Sequence, residues 1–386
     1  MLKKWILVFA LVFACLTVAI GFFNYKMDPF GYWKSRKSEA DYSAMSFGRH
    51  GKASYLKSNS EKYSAVILGG SNASFLNPKV ASQLTGSKTF NFSNMYGDST
   101  DYLQLVDYYI KKMPNLKEIM IQISNEEFHP PLKRPAYKLP AYITGESELL
   151  EILTFIFINP KDSFTTFMSR VKTKKQNDNF TSSEIVKFDG FSWDLRLYDF
   201  SDETQYNHVI HPLDAEVIFR DFNTILKILF ETQQRDFSAE DICIENFAQI
   251  KRLCEENDIR LTVWVCACFI SKKAMFEGEQ YYAFLKRLAK ITDFWDFSGF
   301  SDANLNPYNF YDPKHFNYET GDEILKIVLG GKQNPAFGEY LGAQNIDQAI
   351  ARRRDAFEAL KTEYELTGTV HLFDKTHESY FRREGE

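Results

Sequence analysis

The sequence predicts an α/β protein with a mostly parallel, doubly wound sheet, preceded by a membrane-spanning helix. Three observations carry this reading. Short apolar runs alternate with helical patterns along residues 63–130 and 213–330, the rhythm of strand–helix–strand units. Residues 5–23 carry no charge and follow Lys3 and Lys4; as a helix this run rises roughly 28 Å, enough to cross a bilayer core. The 386 residues are 44% hydrophobic and 16% aromatic, which is the make-up of a chain that buries a large core and not of a disordered one.

The first 24 residues read as an uncleaved anchor. The apolar run is longer than the core of a signal peptide, and no Ala-x-Ala site ends it. Lys3 and Lys4 favour a cytoplasmic N-terminus, which puts the rest of the chain on the far side; Lys26, Arg36 and Lys37 weigh against that orientation. Residues 25–62 read as a juxtamembrane connector that opens with the turn Asp28-Pro29-Phe30-Gly31. Ala65-Val66-Ile67-Leu68, closed by Gly69-Gly70, reads as a buried strand. A helix follows at 78–84, with Pro78 suited to its first turn, and then a second strand at 89–92. Apolar residues at helical spacing (Tyr102, Leu105, Val106, Tyr109, Ile110) mark a helix at 98–113, with Asp98 or Ser99 as its cap. A third strand covers 118–123.

Residues 130–212 break the rhythm. They are rich in Pro, Phe and Tyr and read as a cap-like insertion over the main sheet. Their apolar piece, 149–158, is too short to span a bilayer and reads as a buried or interfacial helix. Helical patterns then cover 213–232 and 239–257, a strand 260–265, a helix 278–291, a short strand 294–297 and a helix 319–329. Residues 331–386 form a tail with a polar helix near 345–365.

Composition excludes several classes. A net charge of −5 and the lack of a basic stripe argue against nucleic acid as a partner. Cys243, Cys254, Cys266 and Cys268 lack the spacing and the nearby His of a zinc site; they read as core residues, with a disulfide left open. His208 and His211 have no accompanying carboxylate or thiolate cluster and read as surface or packing residues. Trp193 and Tyr198 read as core or as sugar-stacking aromatics. No metal and no cofactor is expected. A phosphate-binding domain would need a Gly-x-Gly-x-x-Gly or Lys-bearing loop, which is absent.

Three motifs fall just after strand ends, where doubly wound sheets place ligands. In Leu68-Gly69-Gly70-Ser71-Asn72 a serine sits in a strand-to-helix turn with its hydroxyl exposed. The plainer reading is a structural or phosphate-cradling turn. Tyr311-Asp312-Pro313-Lys314-His315 places Asp312 and His315 in one turn before a helix. A serine needs a base to lose its proton, and the base needs an acceptor that fixes its tautomer. The plainer reading is a helix-capping Asp and a surface His. Asn91-Phe92-Ser93-Asn94-Met95-Tyr96-Gly97 and Ile123-Ser124-Asn125-Glu126 offer N–H donors for an oxyanion: the backbone of Ser71 and Gly97 and the amide of Asn125. His129, just past Asn125, is a candidate substrate contact at the cleft mouth.

Taken together, these blocks resemble the SGNH/GDSL hydrolase superfamily, which orders Ser, Gly, Asn and Asp-x-x-His on a flavodoxin-like three-layer α/β/α sheet. The order here is Ser71, Gly97, Asn125, Asp312, His315, over about 63–130 and 213–330. The resemblance implies Ser71 as nucleophile, His315 as general base, Asp312 as its orienter, and Ser71, Gly97 and Asn125 as the oxyanion hole. Gly69-Gly70-Ser71 stands where the family has Gly-Asp-Ser, and Ile123-Ser124-Asn125-Glu126 where it has Gly-x-Asn-Asp. The anchored layout is similar to the branch containing D-alanyl-lipoteichoic acid esterase-like proteins, whose exported domains modify envelope polysaccharides with acyl groups, often beside a membrane-bound O-acyltransferase. That implies a single-pass cell-membrane protein with an extracytoplasmic serine esterase or O-acyltransferase domain acting on an acylated glycan or envelope polymer. The alternative is a catalytically silent binding or assembly module in an envelope polysaccharide complex.

Overall fold

An apolar run carries polar backbone groups that must find partners inside the protein, and here they find them in a sheet. The computed structural model describes residues 2–33, 49–94, 96–124, 138–173, 238–270, 277–306, 309–310, 315–331, 334 and 336–367. In chain order its elements are α1 (Leu2–Met27), α2 (Arg49–Ser58), β1 (Ala65–Gly69), α3 (Pro78–Thr85), β2 (Thr89–Ser93), α4 (Ser99–Lys112), β3 (Glu118–Ile123), α5 (Ala141–Thr144), α6 (Glu148–Ile156), α7 (Pro160–Thr173), α8 (Glu240–Glu256), β4 (Arg260–Val265), α9 (Glu279–Ile291), β5 (Phe294–Asp296), α10 (Asp302–Leu305), α11 (Tyr318–Gly330), β6 (Glu339–Leu341) and α12 (Ile346–Thr367). Short 3-10 turns lie at Ser60–Lys62 and Ser71–Phe75. The chain divides into two compact units, residues 1–59 with 132–187 and residues 60–131 with 188–386. The helical pattern expected at 213–232, and Trp193, Tyr198, His208 and His211, lie outside the described residues.

The second unit holds the sheet. Among the described residues it has six strands in the order β2-β1-β3-β4-β5-β6. All neighbours from β2 to β5 are parallel, and β6 runs antiparallel to β5. Every residue of β1, β2 and β3 is buried, as continuous apolar strands of a covered parallel sheet should be. On one face Ala65, Ile67, Met120 and Trp264 share a core with Phe75, Ala81, Ile324, Leu325 and Phe357. The alternate positions Val66, Leu68, Ile119 and Ile121 point to the other face and are equally buried. Helix α3 packs on α11, α4 packs on α8, and α8 packs on α9.

The first unit contains α1, which is long and apolar enough to cross a membrane. Its C-terminal end packs on α6 and α7. Tyr32, Phe155 and Ile158 form a small core beside it, with the Tyr32 and Phe155 rings stacked at 4.1 Å between centroids. The apolar piece near 149–158 is the helix α6, capped by the Ser147 hydroxyl.

The tail beyond residue 331 is more tightly joined to the sheet than its sequence indicates. Strand β6 extends the sheet, and α12 buries Ile346, Ala349, Ile350, Arg353 and Phe357. The three residues of β6 are too few to show a period, and a buried Arg hides the apolar stripe of α12. The Arg353 guanidinium is fully engaged. Nε donates to Glu277 (2.6 Å), Nη1 to Asp296 (2.8 Å) and Nη2 to the Ser298 carbonyl (2.6 Å). Burial alone would weaken the guanidinium's hold on its proton, but Glu277 and Asp296 outweigh burial and push its pKa up. Removing the cation strands two buried carboxylates. Arg353→Ala is therefore expected to destabilise the fold by about 3–5 kcal/mol. Arg354→Ala, which removes an exposed pair with Glu279 and an exposed cation–π contact with Tyr282 at 4.9 Å, should cost about 1 kcal/mol or less. Urea unfolding of the two variants beside the wild type measures both.

Candidate active site

The site begins where β1 runs out. Gly69 ends the strand, and Ser71 opens the 3-10 turn Ser71–Phe75. A Cβ on Gly69 would lie 2.6 Å from the Ala73 Cβ and 3.2 Å from the Gln122 Cβ, so the turn folds back on β3 only because glycine stands there. The Gly69 carbonyl accepts from the Asn94 N–H at 2.8 Å, which joins the ends of β1 and β2. Asn91, fully buried on β2, donates to the carbonyls of Ala73 (2.7 Å) and Leu76 (2.8 Å), and its own carbonyl accepts from the Ser93 N–H (2.9 Å). Thus one side chain holds both ends of the stretch that follows Ser71. The Ser74 hydroxyl adds a bond to the Ser71 carbonyl.

The second half arrives from far along the chain. Phe310 and Phe316 form an antiparallel bridge. The Asn317 side chain caps α11 by accepting from the Thr320 N–H (2.9 Å), and the Asn317 N–H donates to the Asn309 carbonyl (2.9 Å). The Thr320 hydroxyl donates to that same carbonyl, and Asn309 donates in turn to the Ala303 carbonyl. These bonds fix the entry into α11. The helix then lies directly on the serine turn, because a Cβ on Gly321 would collide with the Phe75 carbonyl.

The consequence is one contact between residues 244 positions apart: Ser71 Oγ stands 2.8 Å from His315 Nε2. That is the usual length of a good hydrogen bond. Both residues are half-buried, so the pair is held but reachable. The His315 ring also packs at 5.8 Å from the Phe75 ring, which in turn meets Phe316 and Tyr318. A neutral imidazole with its proton on Nδ1 can accept the Ser71 proton at Nε2, which is how a serine hydroxyl becomes a nucleophile at neutral pH.

Of the other residues singled out in the sequence, Gly97 is placed beside this turn and three are not described. A Cβ on Gly97 would sit 3.1 Å from the Gly69 carbonyl and 3.0 Å from the Tyr102 hydroxyl, so glycine is required for close packing. The Gly97 N–H donates to the Asn94 carbonyl at 3.2 Å; to hold an oxyanion it must exchange that bond. Asn125, His129 and Asp312 lie outside the described residues. Among the described residues no cluster of three or more metal-ligating side chains occurs. None of the five cysteines forms a disulfide; Cys266 and Cys268 lie just past the end of β4 and are buried.

Several polar residues near the turn escaped the sequence reading. The side-chain amides of Asn94 and Gln122, and the carbonyl oxygen of the Asn72 side chain, are buried without a hydrogen-bond partner among the described residues. The signal existed: Asn91 lies between two phenylalanines, and Gln122 between two isoleucines. A polar residue inside a buried strand must be bonded to something. Asn91→Ala should leave two turn carbonyls short of a donor and lower stability by about 1–3 kcal/mol. It should also slow modification of Ser71 by a serine-directed phosphonate, followed by intact mass, while Gly70→Ala is milder, because a Cβ there meets nothing closer than the Ser124 hydroxyl at 3.3 Å.

Set against known proteins, the chain matches no family model and no curated protein.

Proposed function

We propose that the protein is a serine esterase or O-acyltransferase of the SGNH type, with Ser71 as nucleophile and His315 as general base. The observation that carries the proposal is the 2.8 Å contact between Ser71 Oγ and His315 Nε2 at the carboxyl edge of a parallel sheet. The order β2-β1-β3-β4-β5 of the parallel strands is that of flavodoxin-like sheets, which bind ligands at this edge.

In the proposed reaction His315 takes the Ser71 proton as Oγ attacks an ester carbonyl. The tetrahedral oxyanion is held by the Ser71 N–H, by the Asn125 amide, and by the Gly97 N–H once it leaves Asn94. His315 then gives the proton to the departing alcohol, leaving an acyl group on Ser71. Water completes an esterase cycle, whereas a sugar or polyol hydroxyl completes a transfer. The role proposed for Asp312, as the resemblance implies it, is orienter of the imidazole, and that proposed for His129 is substrate contact. The apolar α1 supports membrane anchoring, and Lys3 and Lys4 before it favour an extracytoplasmic domain. The substrate class is then an acylated glycan or envelope polymer, with a membrane-bound O-acyltransferase as partner.

Incubating the full chain in detergent with a fluorophosphonate probe tests the reading. The wild type is expected to gain one adduct at Ser71, and Ser71→Ala none. His315→Ala should slow labelling by about 100-fold or more, and Asp312→Ala should also slow it. A folded wild-type protein that stays unlabelled, beside a reactive control hydrolase, would overturn the proposal in favour of a binding module.

A further inference from the structure

The structure points to a second lipid-contacting surface beside α1. We propose that the helices α6 and α7, both packed on α1, lie in the same bilayer interface that α1 enters, with their outer apolar face in the acyl chains.

The argument starts from α6, which is apolar on two sides. Its inner side carries Ile152 and Phe155, packed with Tyr32, Phe30 and Trp33. Its outer side carries Leu149, Leu150, Leu153 and Phe157, spaced along one helical stripe. Phe164 and Phe167 continue that apolar character on α7, with their rings 6.4 Å apart. These six side chains are 41–66% exposed. Glu148 and Glu151 occupy only the first turn of α6, and exposed apolar surface of this extent marks a contact site.

The identity of the occupant follows from what α6 and α7 are fixed to. Asn24, fully buried on α1, donates to the carbonyls of Ile156 (2.9 Å) and Ile158 (2.8 Å) and accepts from the Ser163 hydroxyl (2.7 Å). Both amide N–H groups and one acceptor position are used, so the link between α6 and α7 is held at one level of α1. That level is the end of the uncharged run, since Asn24 directly follows Phe23. One turn deeper, a Cβ on Gly21 would come 2.9 Å from the Ile156 Cγ2. Gly21 lies about 4.5 Å further into the span, so the end of α6 already sits at bilayer depth if α1 spans. Phe22, on the same turn of α1, is itself 61% exposed, so exposed apolar side chains occur both on α1 and on the helices packed against it. A membrane entered by α1 therefore meets this face without any further rearrangement. Interfacial helices of this kind bury one side to about 5–10 Å below the headgroups.

A depth measurement on the full chain tests the inference. Cys15 is exposed and the other four cysteines are buried, so Cys15→Ser clears the background for single labels. Leu150→Cys, Phe164→Cys and, as a reference inside the span, Leu11→Cys are each labelled with a nitrobenzoxadiazole fluorophore. The proteins are placed in nanodiscs of phosphatidylethanolamine and phosphatidylglycerol, with nitroxide carried on the headgroup or on the acyl chain. Labels at 150 and 164 are expected to shift to the blue and to lose more than half of their emission to nitroxide lipids, as the label at 11 does. Emission at 150 and 164 that is quenched by aqueous iodide and indifferent to nitroxide, while position 11 is quenched by lipid, would overturn the inference. So would cross-linked dimers through these positions without lipid quenching, because the face would then be covered by a second copy.

Discussion

The close approach of α11 to the turn after β1 is the constraint on which the site depends. Two glycines permit it. Gly69 lets the serine turn fold onto β3, and Gly321 lets the helix rest on the Phe75 carbonyl. Neither contact involves Ser71 Oγ or His315 Nε2, yet both hold the elements that carry these two residues. Rigid placement matters because proton transfer falls off steeply with misalignment, and a pair on packed elements is held better than one on free loops. The hydrogen bonds around Asn91 and Asn317 act in the same way. Each fixes backbone that would otherwise have several ways to leave its element.

Much of the sheet was legible in the sequence because its strands are continuous apolar runs bounded by glycine or turn residues. Ala65–Gly69, Glu118–Ile123 and Arg260–Val265 match the expected runs to within a residue, and α8 and α9 match theirs. Ser71 and His315 could be singled out because strand ends in a doubly wound sheet converge on one edge, and the structure places the two side chains 2.8 Å apart. What stayed hidden had no period to reveal it. Strand β6 is too short, the stripe of α12 is interrupted by Arg353, and Asn91 looks like a turn residue until its burial is known. The N–H of Gly97, expected to face an oxyanion, instead meets Asn94, a local choice that sequence spacing cannot express.

The two units differ in how they treat their side chains. The sheet unit balances charges internally, most clearly where Arg353 meets Glu277 and Asp296 in a buried site. Such a pairing trades desolvation for geometry and specifies how α12 lies on the sheet. The anchor unit instead leaves large apolar side chains uncovered on α1, α6 and α7. An aqueous surface would penalise that arrangement, and a bilayer rewards it. Within the first unit Asn24 stays polar but satisfied, since its buried amide is bonded to the backbone of Ile156 and Ile158 and to Ser163.

The central claim is that Ser71 and His315 act as one unit. A double-mutant cycle on hydrolysis of an activated acetate ester by the full chain tests it most directly. If the two work together, Ser71→Ala, His315→Ala and the double variant all fall to the same residual rate, because removing either group already disables the other. Losses that multiply in the double variant would mean that the two side chains contribute independently, and the proposed mechanism would be contradicted.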